Sequence, residues 1–166
     1  SSAASDVYKR QNKHVRNRGI IGDEVMGVYD RLHQILPGHP AKLFLLIGVN
    51  DISHGLTSDS IVSMIRTTVE RIRKESPDTR LYLQSLLPIN ESFGRYKRLT
   101  GKTSMIPEIN KQLEALAKEK GLTYINLFPL FTEKGSNVLR ADLTTDGLHL
   151  KEEGYKIWVK AIKKKI

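Results

Sequence analysis

The apolar residues of this chain follow two alternating patterns. In three segments they form continuous runs, which are typical of strands buried on both faces of a parallel sheet. These runs lie at residues 41–48, 79–88 and 122–128. Between and after them, apolar residues recur every three or four positions, which predicts amphipathic helices. The predicted helices cover residues 22–36, 58–75, 104–120 and 151–165.

Strands that alternate with helices of this length predict an α/β fold, in which a parallel sheet is covered by helices on both faces. A further short strand is predicted at residues 14–20. In such sheets, ligands bind beyond the carboxyl ends of the strands. The residues that follow each strand are therefore the first place to look for a functional site.

Composition narrows the class of protein. The chain has 166 residues, of which 39% are hydrophobic, and this suits a single globular domain with a core. It contains no Cys, which excludes a disulfide framework, a thiolate metal site and a cysteine nucleophile. No apolar run is long enough to predict a transmembrane segment.

The formal net charge of +9 is the one feature that would favour nucleic acid as a partner. However, Lys and Arg are scattered along the predicted helices, and the densest run, "KKK" at residues 163–165, lies in a last helical turn. Cations at that position complement the helix dipole. Because no nucleic-acid-binding motif accompanies the charge, we predict a solvated basic surface and no nucleic-acid partner.

The first eleven residues differ from the rest of the chain. "SSAASDVYKRQ" has neither a strand nor a helix period, and it lacks the order of a signal peptide. "DVYKRQ" is similar to the translation of a transposon end used to prepare sequencing libraries. We therefore expect residues 1–11 to be a non-native leader and residues 12–166 to form the domain.

Polar residues collect at the predicted strand ends. "GVND" ends the run at residues 41–48, where Asn50 can either donate its amide to a developing oxyanion or cap a turn. In "TTDGLHL", residues 144–150, Asp146 can orient His149 as a general base, or the two can belong to an ordinary turn. The other histidines, His14, His33, His39 and His54, are expected to be structural or exposed.

Gly22 and Asp23 follow the predicted strand at residues 14–20 and open the first predicted helix. A backbone N–H at this junction points toward whatever binds above the sheet. Asp23 is predicted either to contact a substrate or to cap the helix.

Taken together, these blocks resemble the SGNH (GDSL-like) hydrolase family of esterases and lipases. "NRGIIGD", "GVND" and "DGLHL" are similar to the family's second, third and fifth blocks. The resemblance implies that Gly22 and Asn50 form the oxyanion hole and that Asp146 and His149 belong to the catalytic triad. It also implies a flavodoxin-like, three-layer α/β/α domain that hydrolyses carboxylic esters through an acyl-serine intermediate, without a metal or organic cofactor.

The nucleophile is the departure from this pattern. In the family, the reactive serine follows the first strand, well before the second block, and counting back from Gly22 runs off the chain. We therefore expect the first strand and the nucleophile to be missing from this fragment, which would leave it nearly inactive. Ser53 is expected in the loop after "GVND", with substrate contact as the lesser alternative. Ser85 is expected to be a small residue inside a buried strand.

Substrate identity is only loosely constrained. Residues 92–106 are predicted to form a long polar loop in which Arg95 and Tyr96 can face a sugar or an anionic group. Small O-acyl esters on carbohydrates and lysophospholipid-like esters are both compatible with the family. The alternative function is a non-catalytic module on the same fold that binds a carbohydrate or another ligand.

Overall fold

Three parallel strands form the centre of the computed structural model, which describes residues 23–166. The strands are β1 (Lys42–Leu45), β2 (Arg80–Gln84) and β3 (Thr123–Ile125), in the order β1-β2-β3. Lys42 pairs with Arg80, and Tyr82 pairs with Thr123. The expectations for residues 1–11, for a strand at residues 14–20 and for Gly22 lie outside the described residues.

Helices alternate with these strands, as the apolar periodicity predicts. They are α1 (Val25–Ile35), α2 (Val49–Ser53), α3 (Ser58–Glu75), α4 (Met105–Lys120) and α5 (Glu152–Lys165). α3 coincides with its prediction, whereas α1 begins three residues later than predicted, at Val25. No helix within residues 23–166 is both long and apolar enough to cross a membrane.

The sheet separates two hydrophobic cores, because successive strand residues point to opposite faces. Leu81 and Leu83 belong to the core that contains the apolar faces of α1, α3 and α4. Tyr82 belongs to the other core, against α5, and its ring stacks on Phe44 with centroids 4.5 Å apart. The predicted three-layer α/β/α arrangement is therefore confirmed.

Side-chain hydrogen bonds connect the residues that follow β2 with those that follow β3 and with α4. Ser85 is fully buried, and its hydroxyl oxygen accepts hydrogen bonds from the backbone N–H groups of Leu127 and Phe128, both at 2.9 Å. Asn110 of α4 binds both backbone polar groups of Leu86, at 2.7 and 3.0 Å. Ser85 lies just beyond β2, so the prediction that it merely saves space inside a strand was wrong.

Two expectations about strand ends also need correction. The chain turns sharply at Gly48, whose φ of 143° is outside the range favoured by other residues, but "GVND" then enters the short helix α2 rather than a loop. The predicted long loop at residues 92–106 contains the 3₁₀ turn Lys97–Leu99 and the start of α4. Leu99 is buried, which anchors this segment on the core.

Candidate active site

The Asp146 and His149 side chains form a close pair after the 3₁₀ turn Ala141–Leu143. His149 Nδ1 lies 2.6 Å from Asp146 Oδ2. The His149 side chain is 54% exposed and that of Asp146 is 20% exposed. The carboxylate is therefore shielded while the imidazole faces solvent, which is the arrangement that a substrate-facing base requires.

The Asp146 carboxylate is surrounded by hydrogen-bond donors. Oδ1 accepts from the backbone N–H groups of Leu148 and His149, at 2.9 and 2.7 Å. Desolvation is the largest influence and by itself would raise the pKa of Asp146. The hydrogen bonds from the His149 side chain and backbone, Leu148 and Tyr96 outweigh it and hold that pKa well below its usual value. Asp146 is thus a stable anion beside His149.

Thr144 shapes the loop that holds this pair. Its buried hydroxyl donates to the His149 carbonyl at 2.6 Å and accepts from Gly147 N–H at 3.0 Å. Gly147 adopts a φ of 87°, and a Cβ there would lie 2.3 Å from the Asn90 carbonyl oxygen. Asn90 N–H in turn donates to the Gly147 carbonyl at 2.8 Å. The sequence offers no signal for Asn90, whereas Thr144 is recognisable as a turn-forming residue.

Tyr96 joins the pair from a distant part of the chain. Its hydroxyl donates to Asp146 Oδ2 at 2.9 Å and lies 3.3 Å from His149 Nδ1. Tyr96 was expected to face a substrate, and the structure brings it to the Asp146 carboxylate. The expected substrate contact stays a prediction.

Asn50 lies on α2, at the carboxyl end of β1. Its side-chain amide donates to the Asp23 carbonyl at 2.9 Å, which joins α2 to the residues before α1. α2 also contacts the Lys97–Leu99 turn, close to Tyr96. Asn50 therefore lies at the same edge of the sheet as the Asp146–His149 pair. Its proposed partner in the oxyanion hole, Gly22, lies outside the described residues.

Asp23 and Asp51 both serve the N-terminus of α1. Asp23 Oδ1 accepts from Glu24 N–H at 3.0 Å, and Oδ2 forms an ion pair with Arg31 at 2.5 Å. Asp51, which is 1% exposed, accepts from Val25 N–H at 3.1 Å. Desolvation raises the pKa of Asp51, and the hydrogen bond from Val25 partly offsets that rise. The bond from Glu24 N–H gives Asp23 a structural role at the start of α1, as one of its two predicted roles requires. The sequence did not predict that Asp51 also accepts a hydrogen bond there.

A cavity of about 260 Å³ opens beside Asp146 and Gly147. Its lining includes Asn90, Glu91, Arg95, Tyr96, Lys97 and Thr100. The Glu91 carboxylate accepts hydrogen bonds from Gly101 and Thr103, and the side-chain bond to Thr103 is the main reason that its pKa is lowered. Glu91 thus stabilises the loop between itself and Thr103. Arg95, in the same loop, is exposed at the cavity.

The remaining predicted residues lie as follows. Ser53 is the last residue of α2 rather than part of a loop, and its hydroxyl donates to the Asn50 carbonyl at 2.8 Å. His54 pairs with Glu24 at 3.2 Å, and His33 Nδ1 lies 2.5 Å from the Asp30 carbonyl. Within residues 23–166, no serine hydroxyl is hydrogen-bonded to the His149 ring.

Comparison with known proteins places these features in context. The model of the GDSL-like Lipase/Acylhydrolase family matches residues 2–157. Platelet-activating factor acetylhydrolase IB subunit alpha1 from Bos taurus and from Homo sapiens is 25% identical over 142 residues, which are 86% of this chain. The chain spans 59% of the length of these relatives.

Two solved structures show the same fold. A GDSL-like lipase from Bacteroides thetaiotaomicron superposes with a TM-score of 0.86 at 22% identity, covering 98% of this chain and 80% of the other. An acetyl xylan esterase superposes with a TM-score of 0.75 at 20% identity, covering 99% and 89%. The family match extends over most of the sequence and includes the blocks around Asn50 and His149. The chain belongs to the GDSL-like lipase/acylhydrolase family.

Proposed function

We propose that this protein is a serine esterase that hydrolyses carboxylic esters of small acyl groups. The observation that supports this most strongly is the 2.6 Å contact between His149 Nδ1 and the ionised Asp146 carboxylate, with the imidazole exposed at the carboxyl edge of the sheet. Asp146 orients the ring, so that Nε2 is the nitrogen presented to the nucleophile and substrate.

The reaction proceeds in two halves. The serine oxygen attacks the ester carbonyl carbon while His149 Nε2 takes the serine proton, and the resulting oxyanion is held by Asn50 Nδ2 and the Gly22 and serine N–H groups. Collapse breaks the bond to the alkoxy oxygen, which leaves as the alcohol with the proton from His149. Water then attacks the acyl carbon while His149 takes its proton. Collapse breaks the bond to the serine oxygen, which receives that proton from His149 as the acid is released.

The nucleophile is part of the proposal. The resemblance puts it before the block that contains Gly22. Asn50 already donates one amide hydrogen to Asp23. The second hydrogen of the same Nδ2 remains for the oxyanion, and the bond to Asp23 holds the amide plane in place.

Small acyl groups on carbohydrate or lysophospholipid-like alcohols are the proposed substrates. Two similar proteins are named as an acetyl xylan esterase and a platelet-activating factor acetylhydrolase, and both names specify an acetyl group. The cavity beside Asp146 combines aliphatic surface with the polar or charged side chains of seven of its eleven lining residues. Those polar groups can hydrogen-bond the hydroxyls of a sugar, so we give carbohydrate esters precedence.

The test begins with the natural gene. Its upstream sequence is determined without transposon-based libraries, and both the printed chain and the natural reading frame are expressed. We expect the natural protein to hydrolyse 4-nitrophenyl acetate and to be labelled by a fluorophosphonate, and the printed chain to do neither. His149→Ala and Asp146→Asn should reduce kcat by about 10⁴-fold or more. His33→Ala, which changes an exposed histidine on α1, is the matched control.

Two results would contradict the proposal. If the printed chain itself turns over ester and is labelled, the nucleophile lies within it and the upstream assignment is wrong. If the natural protein is folded but shows neither turnover nor labelling, the esterase assignment fails. Binding of xylo-oligosaccharides by that inactive protein would then support the non-catalytic module.

A further inference from the structure

Tyr96 links the cavity loop to the Asp146–His149 pair. Its hydroxyl donates to Asp146 Oδ2 at 2.9 Å, the same oxygen that lies 2.6 Å from His149 Nδ1. The Tyr96 and His149 rings meet edge to face, with centroids 6.1 Å apart. Two donors therefore share one carboxylate oxygen, and one of them comes from a residue that also lines the cavity.

The other donors to Asp146 within the described residues all come from its own loop, residues 144–149. Tyr96 is fifty residues away in sequence. The loop that carries it is held firmly, because Glu91 accepts hydrogen bonds from Gly101 and Thr103 and Leu99 is buried. The anchored loop thus adds a contact to Asp146 Oδ2 from outside residues 144–149, beside the local donors to Oδ1 and the contact with His149.

We propose that Tyr96 is a positioning residue that fixes Asp146 Oδ2 against His149 and reduces the attraction of that oxygen for the imidazole proton. The hydrogen bond from Tyr96 spreads part of the carboxylate charge away from His149. Without it, more negative charge faces Nδ1, and the imidazolium form of His149 is stabilised. This inference rests on the proposed role of His149 as general base.

The other groups near the pair do not change charge while His149 titrates. The positive charge of Arg95, in the same loop, partly offsets the rise in the pKa of Tyr96, and Arg95 stays cationic. Tyr155 of α5 feels the Asp146 charge, and its pKa is raised by burial and by that charge, so it stays neutral. Asp146 stays ionised. A change in the His149 titration in a Tyr96 variant therefore reports on the Tyr96 hydroxyl.

The experiment is an NMR titration of the His149 imidazole in the printed chain, with the resonances assigned by comparison with His149→Gln. Tyr96→Phe removes one oxygen and keeps the ring. We expect the midpoint of the His149 titration to move to higher pH in this variant, because the Asp146 carboxylate then directs more negative charge at the imidazole. Tyr29→Phe, which removes a hydroxyl from a half-buried tyrosine on α1, should leave the titration unchanged. Thermal unfolding of each variant verifies that it is folded.

The NMR titration needs no turnover, so the proposed role of Tyr96 and the proposed esterase function can fail independently. If His149 titrates identically in folded Tyr96→Phe and in the unchanged chain, or if Tyr29→Phe gives the same shift, the role assigned to Tyr96 is wrong even where the natural protein is an esterase. If the shift appears and the natural protein has no esterase activity, only the proposed function fails. In an active natural protein, Tyr96→Phe should move the acidic limb of the kcat/KM profile to higher pH by the same amount.

Discussion

The side-chain amide of Asn50 donates to the backbone carbonyl of Asp23 at 2.9 Å, and this bond joins α2 to the residues that precede α1. The same amide is the proposed oxyanion donor, and in that proposal its second hydrogen is the one offered to the oxyanion. Because the bond to Asp23 restricts rotation of the amide, the second hydrogen is oriented before substrate binds. Such preorganised donors cost no reorganisation during the reaction.

Asn50→Ala should therefore reduce kcat of the natural protein by about 10²- to 10³-fold, with a smaller effect on KM, because the donor acts mainly on the transition state. Steady-state hydrolysis of 4-nitrophenyl acetate measures both constants. Asn137→Ala, at an exposed asparagine that is not among the cavity-lining residues, serves as the control. An equal loss of kcat in both variants would contradict the proposed role of Asn50 in the oxyanion hole. So would a change in KM alone in Asn50→Ala.

Gly147 allows the His149 loop to approach Asn90. Gly147→Ala would add a Cβ 2.3 Å from the Asn90 carbonyl oxygen, at a residue with a φ of 87°. Gly135→Ala is the matched control, since Gly135 has a φ of 78° with open space around its added Cβ. Both variants should lose about 1–2 kcal/mol of stability from backbone strain. Gly147→Ala should lose about 1–3 kcal/mol more, because its Cβ clashes with the Asn90 carbonyl oxygen.

Urea unfolding of the two glycine variants gives the comparison. The prediction concerns the difference between them, because the strain common to both positions cancels. Equal losses of stability would show that the loop can shift away from Asn90, and that the close approach does not hold the loop in place.

The lowered pKa of Asp146 predicts a pH dependence of stability. The folded-state pKa lies below the unfolded value of about 3.9, so the unfolded chain binds more protons in acid. The stabilisation is therefore present above about pH 5 and is lost as pH falls through the folded pKa. Asp146→Asn should destabilise the protein more at pH 6 than at pH 3.

Urea unfolding at the two pH values measures this difference. Asp78→Asn, at an exposed residue before β2, should show little pH-dependent change. A destabilisation by Asp146→Asn that is the same at both pH values would mean that the hydrogen bonds to the carboxylate do not depend on its charge, contrary to the prediction.

Arg95 provides a test of substrate charge. It is exposed at the cavity beside Asp146, whereas Arg98 belongs to the same loop and is not among the lining residues. If Arg95 binds an anionic group of the substrate, Arg95→Ala should raise KM about 5- to 10-fold for an ester that carries a carboxylate or phosphate. Neutral 4-nitrophenyl acetate and the Arg98→Ala variant should show little change. Equal effects on charged and neutral esters would exclude an anion-binding role for Arg95.

The sequence by itself determined the helices and the central pair of the site. Helix α3 begins and ends where its apolar spacing predicts, because that spacing reflects contacts between residues three and four apart. Asp146 and His149 were recognisable for a similar reason: they lie within one short loop, and their hydrogen bond depends on local geometry. Asn50 was already a candidate from its position after a buried strand, and the family resemblance connected it with that loop, from which it is distant in sequence.

Tertiary structure decided the contacts that join separate strand ends. The bond of Tyr96 to Asp146 spans fifty residues, and the clamp of Asn110 on Leu86 spans twenty-four. Ser85 gives no hint in its sequence context that its hydroxyl will accept two backbone N–H groups. Such bonds form only after the parallel strands have brought their carboxyl ends to one edge, and apolar periodicity contains no information about which polar groups meet there.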